Sequence, residues 1–289
     1  MSVLSRCLRG GVIAVVFAAH CPSGLAASAT LDRIRSSSTI QLAYRDGAAP
    51  FSFKDRDGKV RGYSVELCEQ VAQRIGKTLN VPSLKVEWKP VTASTRLDAV
   101  AKGDVDIECG TTTMTLARME MVDFSVPVFV DGGSVLVRSD AKLKTLADLR
   151  NRRVAVIAGT TTEQALVTQL SALDAPATLV PVKDGAEGVA LLARGRVDGY
   201  AGDRIVLTGL RQRATKPEAL RFVEGDFSYE PYALVVRRND PDFRLAVNRA
   251  LVGIYKDGAI DTIFQRWFAS FGRPGPLLHA MFYLNRLPE

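Results

Sequence analysis

Histidine is nearly absent from this chain: only His20 and His279 occur in 289 residues. His20 falls in an N-terminal segment expected to be removed, so a serine or cysteine nucleophile would have to rely on His279 near the C-terminus. No Gly-x-Ser-x-Gly elbow accompanies it. Zinc sites of the usual His/Cys kind lack their ligands for the same reason, and neither a metal nor a cofactor is called for. Cysteine is scarce as well, at four residues. Cys7 and Cys21 leave with the N-terminal segment, and Cys68 and Cys109 remain. In an oxidising compartment two such thiols pair if their Cα atoms lie within roughly 7 Å; otherwise they serve as small buried hydrophobes. Both readings stay open. Beyond the N-terminus no apolar run approaches the ~18 residues that a membrane-spanning helix needs. Dense blocks of one charge are missing too. The net charge is +7, yet the basic residues alternate with acids. That argues against a nucleic-acid partner, whose footprint would cluster on one element, and leaves a mild attraction for small anions.

The N-terminus does carry a pattern. Arg6 and Arg9 precede an apolar run over residues 10–19, and Ala27-Ser28-Ala29 supplies a small-x-small cleavage site. This predicts a secretory signal peptide over residues 1–29, with a core too short to act as a stable anchor. Cys21 follows Ala18-Ala19-His20, where histidine stands in place of the small residue a lipoprotein needs, so lipidation is not expected. Cleavage after Ala29 leaves about 260 residues beginning at Thr30, enough for two domains with real cores.

The most informative stretch runs from Gly103 to Ser125. Val105 and Ile107 alternate with Asp104, Asp106 and Glu108, the period of a half-buried strand. A turn at Gly110 follows, then Thr111-Thr112-Thr113, then a helix start with Thr115 as N-cap and Arg118 in the first turn. Unpaired N–H groups, a partial positive charge and a guanidinium together suit a carboxylate. Around this stretch the pattern predicts a strand at 39–44, a hairpin through Asp57-Gly58, a helix capped by Ser64, a strand at 84–88 and a helix at 96–102. A second unit follows with strands at 153–157 and 197–200 and another threonine-rich junction, Gly159-Thr160-Thr161-Thr162-Glu163. In open α/β sheets ligands sit beyond the carboxyl ends of strands, so two such junctions facing each other would enclose a small molecule. An apolar strand at 232–236 and two helical stripes close the chain. If that strand returns to the first unit, the chain crosses between lobes near 131–135 and 230–234, with Gly132-Gly133 supplying backbone freedom.

Seven motifs, taken in order, resemble the family-3 solute-binding proteins of bacterial ABC importers, and within them the glutamate/aspartate-binding branch. They are Pro50-Phe51-Ser52-Phe53, Gly62-Tyr63-Ser64, residues 106–118 around Cys109-Gly110-Thr111-Thr112-Thr113, Asp123-Phe124-Ser125, Ala158-Gly159-Thr160-Thr161-Thr162-Glu163, Gly195-Arg196-Val197-Asp198 and Trp267-Phe268. The resemblance covers essentially the whole chain from Thr30. It implies an α/β, two-lobed type II periplasmic fold, each lobe a mixed, mostly parallel sheet flanked by helices, with two hinge crossovers. The lobes would be 30–132 with 232–289, and 133–231.

The resemblance further implies a periplasmic amino-acid-binding subunit rather than an enzyme, monomeric, whose partners are an acidic amino acid and the membrane permease of an ABC importer. Arg118 matches the carboxylate clamp, with Thr113 and with Thr161 across the cleft. Asp203 matches the ammonium site, with Thr111. Arg45 and Arg96 match the distal arginines that would meet a second carboxylate. Two departures, Ala93 for a small hydroxyl residue and Gly185 for a histidine, imply a pocket that is roomier or less strict. Two alternatives share the fold: a dehydratase of prephenate-like or arogenate-like dicarboxylates using Glu108 or Glu163 as general acid, and a ligand-presenting partner of a sensor.

Overall fold

The computed structural model describes residues 28–288. Most of the predicted signal peptide, residues 1–27, lies outside the described residues. The expected polar lead-in after it is instead a helix, α1 (Ala29–Ser37), with Ser28 as its N-cap accepting the Leu31 N–H at 3.1 Å. The cap and the first helical residue therefore fall inside the segment assigned to the signal.

The first lobe is then built from β1 (Thr39–Arg45), a hairpin of β2 (Phe53–Lys54) and β3 (Val60–Arg61), α2 (Tyr63–Thr78), β4 (Lys85–Val91), α3 (Arg96–Lys102), β5 (Ile107–Glu108), the single turn α4 (Leu116–Met119) and β6 (Val122–Asp131). The second lobe holds β7 (Gly133–Arg138), a 3-10 turn (Leu146–Leu149), β8 (Arg153–Ile157), α5 (Thr161–Ala172), β9 (Thr178–Val182), α6 (Gly185–Ala193), β10 (Gly199–Asp203), α7 (Arg204–Gln212) and β11 (Leu220–Phe222). The chain returns through β12 (Glu230–Arg237) and ends in α8 (Pro241–Lys256), α9 (Ala259–Phe268) and α10 (Pro276–Leu284).

Two five-stranded sheets result, ordered β4-β1-β5-β12-β6 and β11-β7-β10-β8-β9. In the first, β1 runs parallel to β4 and β5, while β12 pairs antiparallel with β5 and β6. In the second, β8 runs parallel to β9 and β10, while β7 pairs antiparallel with β10 and β11. The molecule is thus a two-lobed α/β fold, and the chain passes between sheets twice, from β6 to β7 and from β11 to β12. Gly132 and Gly133 mark the first passage for a different reason from the one the sequence suggests. Neither has positive φ; a Cβ at 132 would lie 3.0 Å from Asp226, and one at 133 only 2.6 Å from Ser228 Oγ. Close approach of the two crossing segments selects glycine there.

The core explains several sequence motifs. Phe51 packs edge-on against Tyr63, Phe129 and Tyr232, with Phe129 nearest at 4.8 Å between centroids, and Phe268 closes the cluster. Such pairs add to the burial of large apolar rings. Pro50-Phe51-Ser52-Phe53 and Trp267-Phe268 are therefore core and scaffold. The stripe Leu67, Cys68, Val71, Ala72 and Ile75 of α2 faces the same core. Cys68 and Cys109 form a disulfide, with Cα atoms 6.2 Å apart, tying α2 to the end of β5. Ser64 does not cap α2, whose N-cap is Gly62; buried, it donates its hydroxyl to Gly110 O at 2.8 Å. It thereby fixes the loop that carries the site.

Candidate functional site

The site grows out of the carboxyl ends of β1 and β5 on one lobe and of β8 and β10 on the other. Ser52 Oγ accepts the Arg45 N–H at 2.9 Å, so the phenylalanine-rich motif sets where β1 stops and where the Arg45 side chain leaves it. After β5, the loop 110–113 is held by Ser64 and by β12: Ala233 N–H donates to Thr112 O and Met114 N–H to Pro231 O. Thr113 forms an isolated bridge with Tyr232. On the second lobe Thr160 is the N-cap of α5, accepting from Glu163 N–H, which leaves Thr161 as the first helical residue facing the cleft.

Arg45, Arg96, Thr111, Thr113, Thr161 and Asp203 all line one enclosed space, together with Thr160, Thr162 and Tyr200. Its volume is about 30 Å³, on the order of one water molecule. Arg118 stands just behind this lining, half-buried, with Nη1 donating to Thr113 O at 2.7 Å. The structure therefore brings the predicted residues together, and it also gives them partners the sequence does not reveal. Thr111 is a clasp: its hydroxyl accepts from Arg45 Nη1 at 3.0 Å and its carbonyl from Arg96 Nη1 at 3.3 Å. Asp203 Oδ1 accepts from the hydroxyl of Thr162 at 2.8 Å.

The electrostatics are those of crowded cations in a dry place. Arg96 is 2% exposed. Burial, with the nearby Arg45, pushes its guanidinium down to about 10 against the pull of Glu108 and Asp203. Arg118 is likewise lowered by burial, and Glu230, Glu108 and Asp203 offset part of it. Arg96 Nε and Glu108 Oε1 are buried without hydrogen-bond partners. Glu108 instead uses Oε2 to accept from Thr112 at 2.7 Å. Unpartnered buried polar atoms are expensive, and clusters of this kind are typical of functional sites.

Three expectations change. The helix expected after Thr115 is a single turn, so it adds little dipole, although Thr115 does cap it by accepting Arg118 N–H at 3.1 Å. The pocket is not roomier at Gly185, because a Cβ there would lie 2.6 Å from Leu210 and 3.3 Å from the Tyr200 hydroxyl, which fill that space. Glu163 does not line the enclosed space, and its Oε2 accepts the Gly159 N–H at 2.8 Å.

Two carboxylates were not legible as site residues. Glu230, 1% exposed, accepts from Thr113 Oγ1 at 2.6 Å and Thr161 Oγ1 at 2.7 Å on Oε2, and from Ser228 Oγ at 2.6 Å on Oε1. Asp131 accepts from Gly132 N–H and from Ile205 N–H at the start of α7. Burial, reinforced by Asp203, raises its carboxyl well above the usual range. The available signal was an acid immediately before each apolar crossing, in Val130-Asp131-Gly132 and Tyr229-Glu230-Pro231.

Residues 40–270 match the family described as bacterial extracellular solute-binding proteins, family 3. The chain is 35% identical over 240 residues to the L-glutamate/L-aspartate-binding protein of Pseudomonas aeruginosa, covering 83% of this chain and 80% of that protein. It is 32% identical over 251 residues to the glutamate/aspartate import solute-binding protein of Salmonella typhimurium, covering 86% and 83%. Among solved structures, an ancestral amino acid-binding protein described as a precursor of cyclohexadienyl dehydratase is 32% identical and superposes with a TM-score of 0.72, covering 83% of this chain and 99% of that one. With two sheets, two crossings and a cleft lined from both lobes, this chain belongs to the bacterial extracellular solute-binding proteins, family 3.

Proposed function

We propose that the protein is the periplasmic substrate-binding subunit of an amino-acid ABC importer and that it captures glutamate and/or aspartate between its lobes. The observation that carries this reading is the meeting of Arg45 and Arg96 with Asp203 around one enclosed space, with Arg118 directly behind its threonine wall on Thr113 O. Two carboxylates and one ammonium complement three guanidiniums and one carboxylate. Arg118 takes the α-carboxylate with Thr113 and Thr161, Asp203 with Thr111 takes the ammonium, and Arg45 with Arg96 takes the side-chain carboxylate. The lobes, 30–132 with 232–289 and 133–231, close over it. Since the space between these residues is about 30 Å³, an amino acid enters only when they part. Closure then presents a surface to the membrane permease, with the protein acting as a monomer.

The curated relatives named above are binding proteins, which favours transport over the dehydratase alternative. So does the geometry of the nominated acids, since Glu163 is committed to its own loop and Glu108 is buried behind Thr112. A thermal-shift screen across amino acids and dicarboxylates tests the reading. Glutamate or aspartate should give the largest rise in Tm; a largest rise from a neutral or cationic amino acid contradicts it, and conversion of prephenate by the protein would restore the enzyme alternative.

A further inference from the structure

The two crossing strands are paired along their length, and the pair at the crossing end is Asp131 on β6 opposite Glu230 on β12. Each carboxylate reaches from this pair into the second lobe. Asp131 takes a backbone N–H at the start of α7, at 3.1 Å from Ile205 N, and so holds the pivot itself. Glu230 reaches a side chain further from the pivot, Thr161 at the start of α5, while the same oxygen holds Thr113 of the first lobe. The two threonine hydroxyls are thereby brought to 3.2 Å of each other across the cleft. We propose that Glu230 is a built-in latch: its carboxylate bridges Thr113 and Thr161 and biases the lobes towards closure before any ligand binds. The proposal rests on reading the cleft as a closing ligand site, but not on the identity of the ligand.

Proton counting supports the bridge. A threonine hydroxyl has one proton, and a carboxylate oxygen only accepts. At 2.6 Å and 2.7 Å from the same oxygen, both hydroxyls donate to Glu230, as charge-assisted bonds of the stronger kind. Ser228 completes the clamp by donating to the other oxygen while accepting the Gly133 N–H at 2.9 Å, which anchors the carboxylate to the first crossing as well. Opening the lobes separates Thr161 from Glu230 and lets water into a site that is 1% exposed. A ligand carboxylate can recruit these hydroxyl protons only by drawing them off Glu230. The latch therefore sets both the resting balance between open and closed forms and the polarity the threonines present to the cleft.

Small-angle scattering on the ligand-free protein tests this directly. Glu230→Ala should lower the closed-to-open ratio roughly tenfold, the scale of losing the one hydrogen bond to a charged group that spans the lobes, and so raise the radius of gyration. Thr161→Val, which removes the second-lobe partner without touching the crossing, should raise it likewise. The double variant should open no further than either single one, because both remove the same bridge. Glu230→Gln, which keeps an acceptor oxygen, should fall between. Unchanged scattering from both single variants overturns the latch. So does opening by Glu230→Ala alone, since the carboxylate would then act only within the first lobe. Should Glu230→Ala not fold, as its melting curve would show, Thr161→Val decides. No ligand enters these measurements, so a protein that binds glutamate yet shows no opening refutes the latch alone, and one that opens yet ignores glutamate refutes the proposed substrate alone.

Discussion

Arg118 is fixed from three sides: by its backbone N–H on Thr115, by its guanidinium on Thr113 O, and by its position behind the threonine wall. A guanidinium held in this way meets a carboxylate with little side-chain entropy left to lose. Truncating one partner of a desolvated charge pair weakens binding by about 2–5 kcal/mol. Arg118→Ala should therefore lower the affinity for every α-amino acid the protein binds by at least tenfold. Arg118→Lys should fall between, keeping the charge but losing the fork. Calorimetric titration checks this, and an unchanged affinity in the alanine variant would remove Arg118 from the site. The placement of this residue in a threonine-capped turn was readable in the sequence because a threonine cap and an arginine in the first turn form a local pattern. Glu230 was not, because its role depends on two threonines brought to it by separate crossings of the chain. An acid before an apolar strand, as in Tyr229-Glu230-Pro231, does not by itself reveal which hydroxyls it will meet.

At the scale of elements, the loop between β5 and α4 is the piece everything else holds. Ser64 grips it from α2, β12 pairs with it from the far side, and the Cys68–Cys109 disulfide pins the residue just before it. With the two cysteines 41 positions apart in sequence, the chain-entropy model gives about 4 kcal/mol of stabilisation. Replacing both cysteines by serine should lower the unfolding free energy by about 2–4 kcal/mol in denaturant titrations, with ligand affinity reduced as the loop loosens. Equal stability of the two proteins would show that the link is incidental. Strands β1 and β8 and helix α3 could be placed from periodicity alone, since each carries an apolar face between clear breakers. Helix α1 escaped notice because it is short and polar, with Thr30 and Ile34 as its buried residues. Its folding is decided by the Ser28 cap and by packing on α8 rather than by a periodic stripe.

At the scale of the whole molecule, two sheets are joined by two close crossings, and charged residues from both units line the space between them. Arg45 and Arg96 line the gap from the first lobe with Arg118 behind them on Thr113 O, while Asp203, Thr161 and the start of α5 line it from the second. That the chain has two α/β units was legible in its alternating strands and helices. That both crossings carry a carboxylate reaching into the opposite lobe was not, because register and tertiary approach decide it. Under the proposed function, Arg45 and Arg96 in the cleft, with Arg118 behind its wall, select an amino acid with two carboxylates. An amide in place of the side-chain carboxylate would leave Arg45 and Arg96 without their counter-charge in a partly dry cleft, a loss on the order of 2 kcal/mol or more. Calorimetric comparison of glutamate, aspartate and glutamine binding to the protein decides between these outcomes. Glutamate or aspartate should bind at least about thirtyfold more tightly than glutamine, the ratio that 2 kcal/mol implies. Glutamine, or any neutral amino acid, binding as tightly as both would contradict the account.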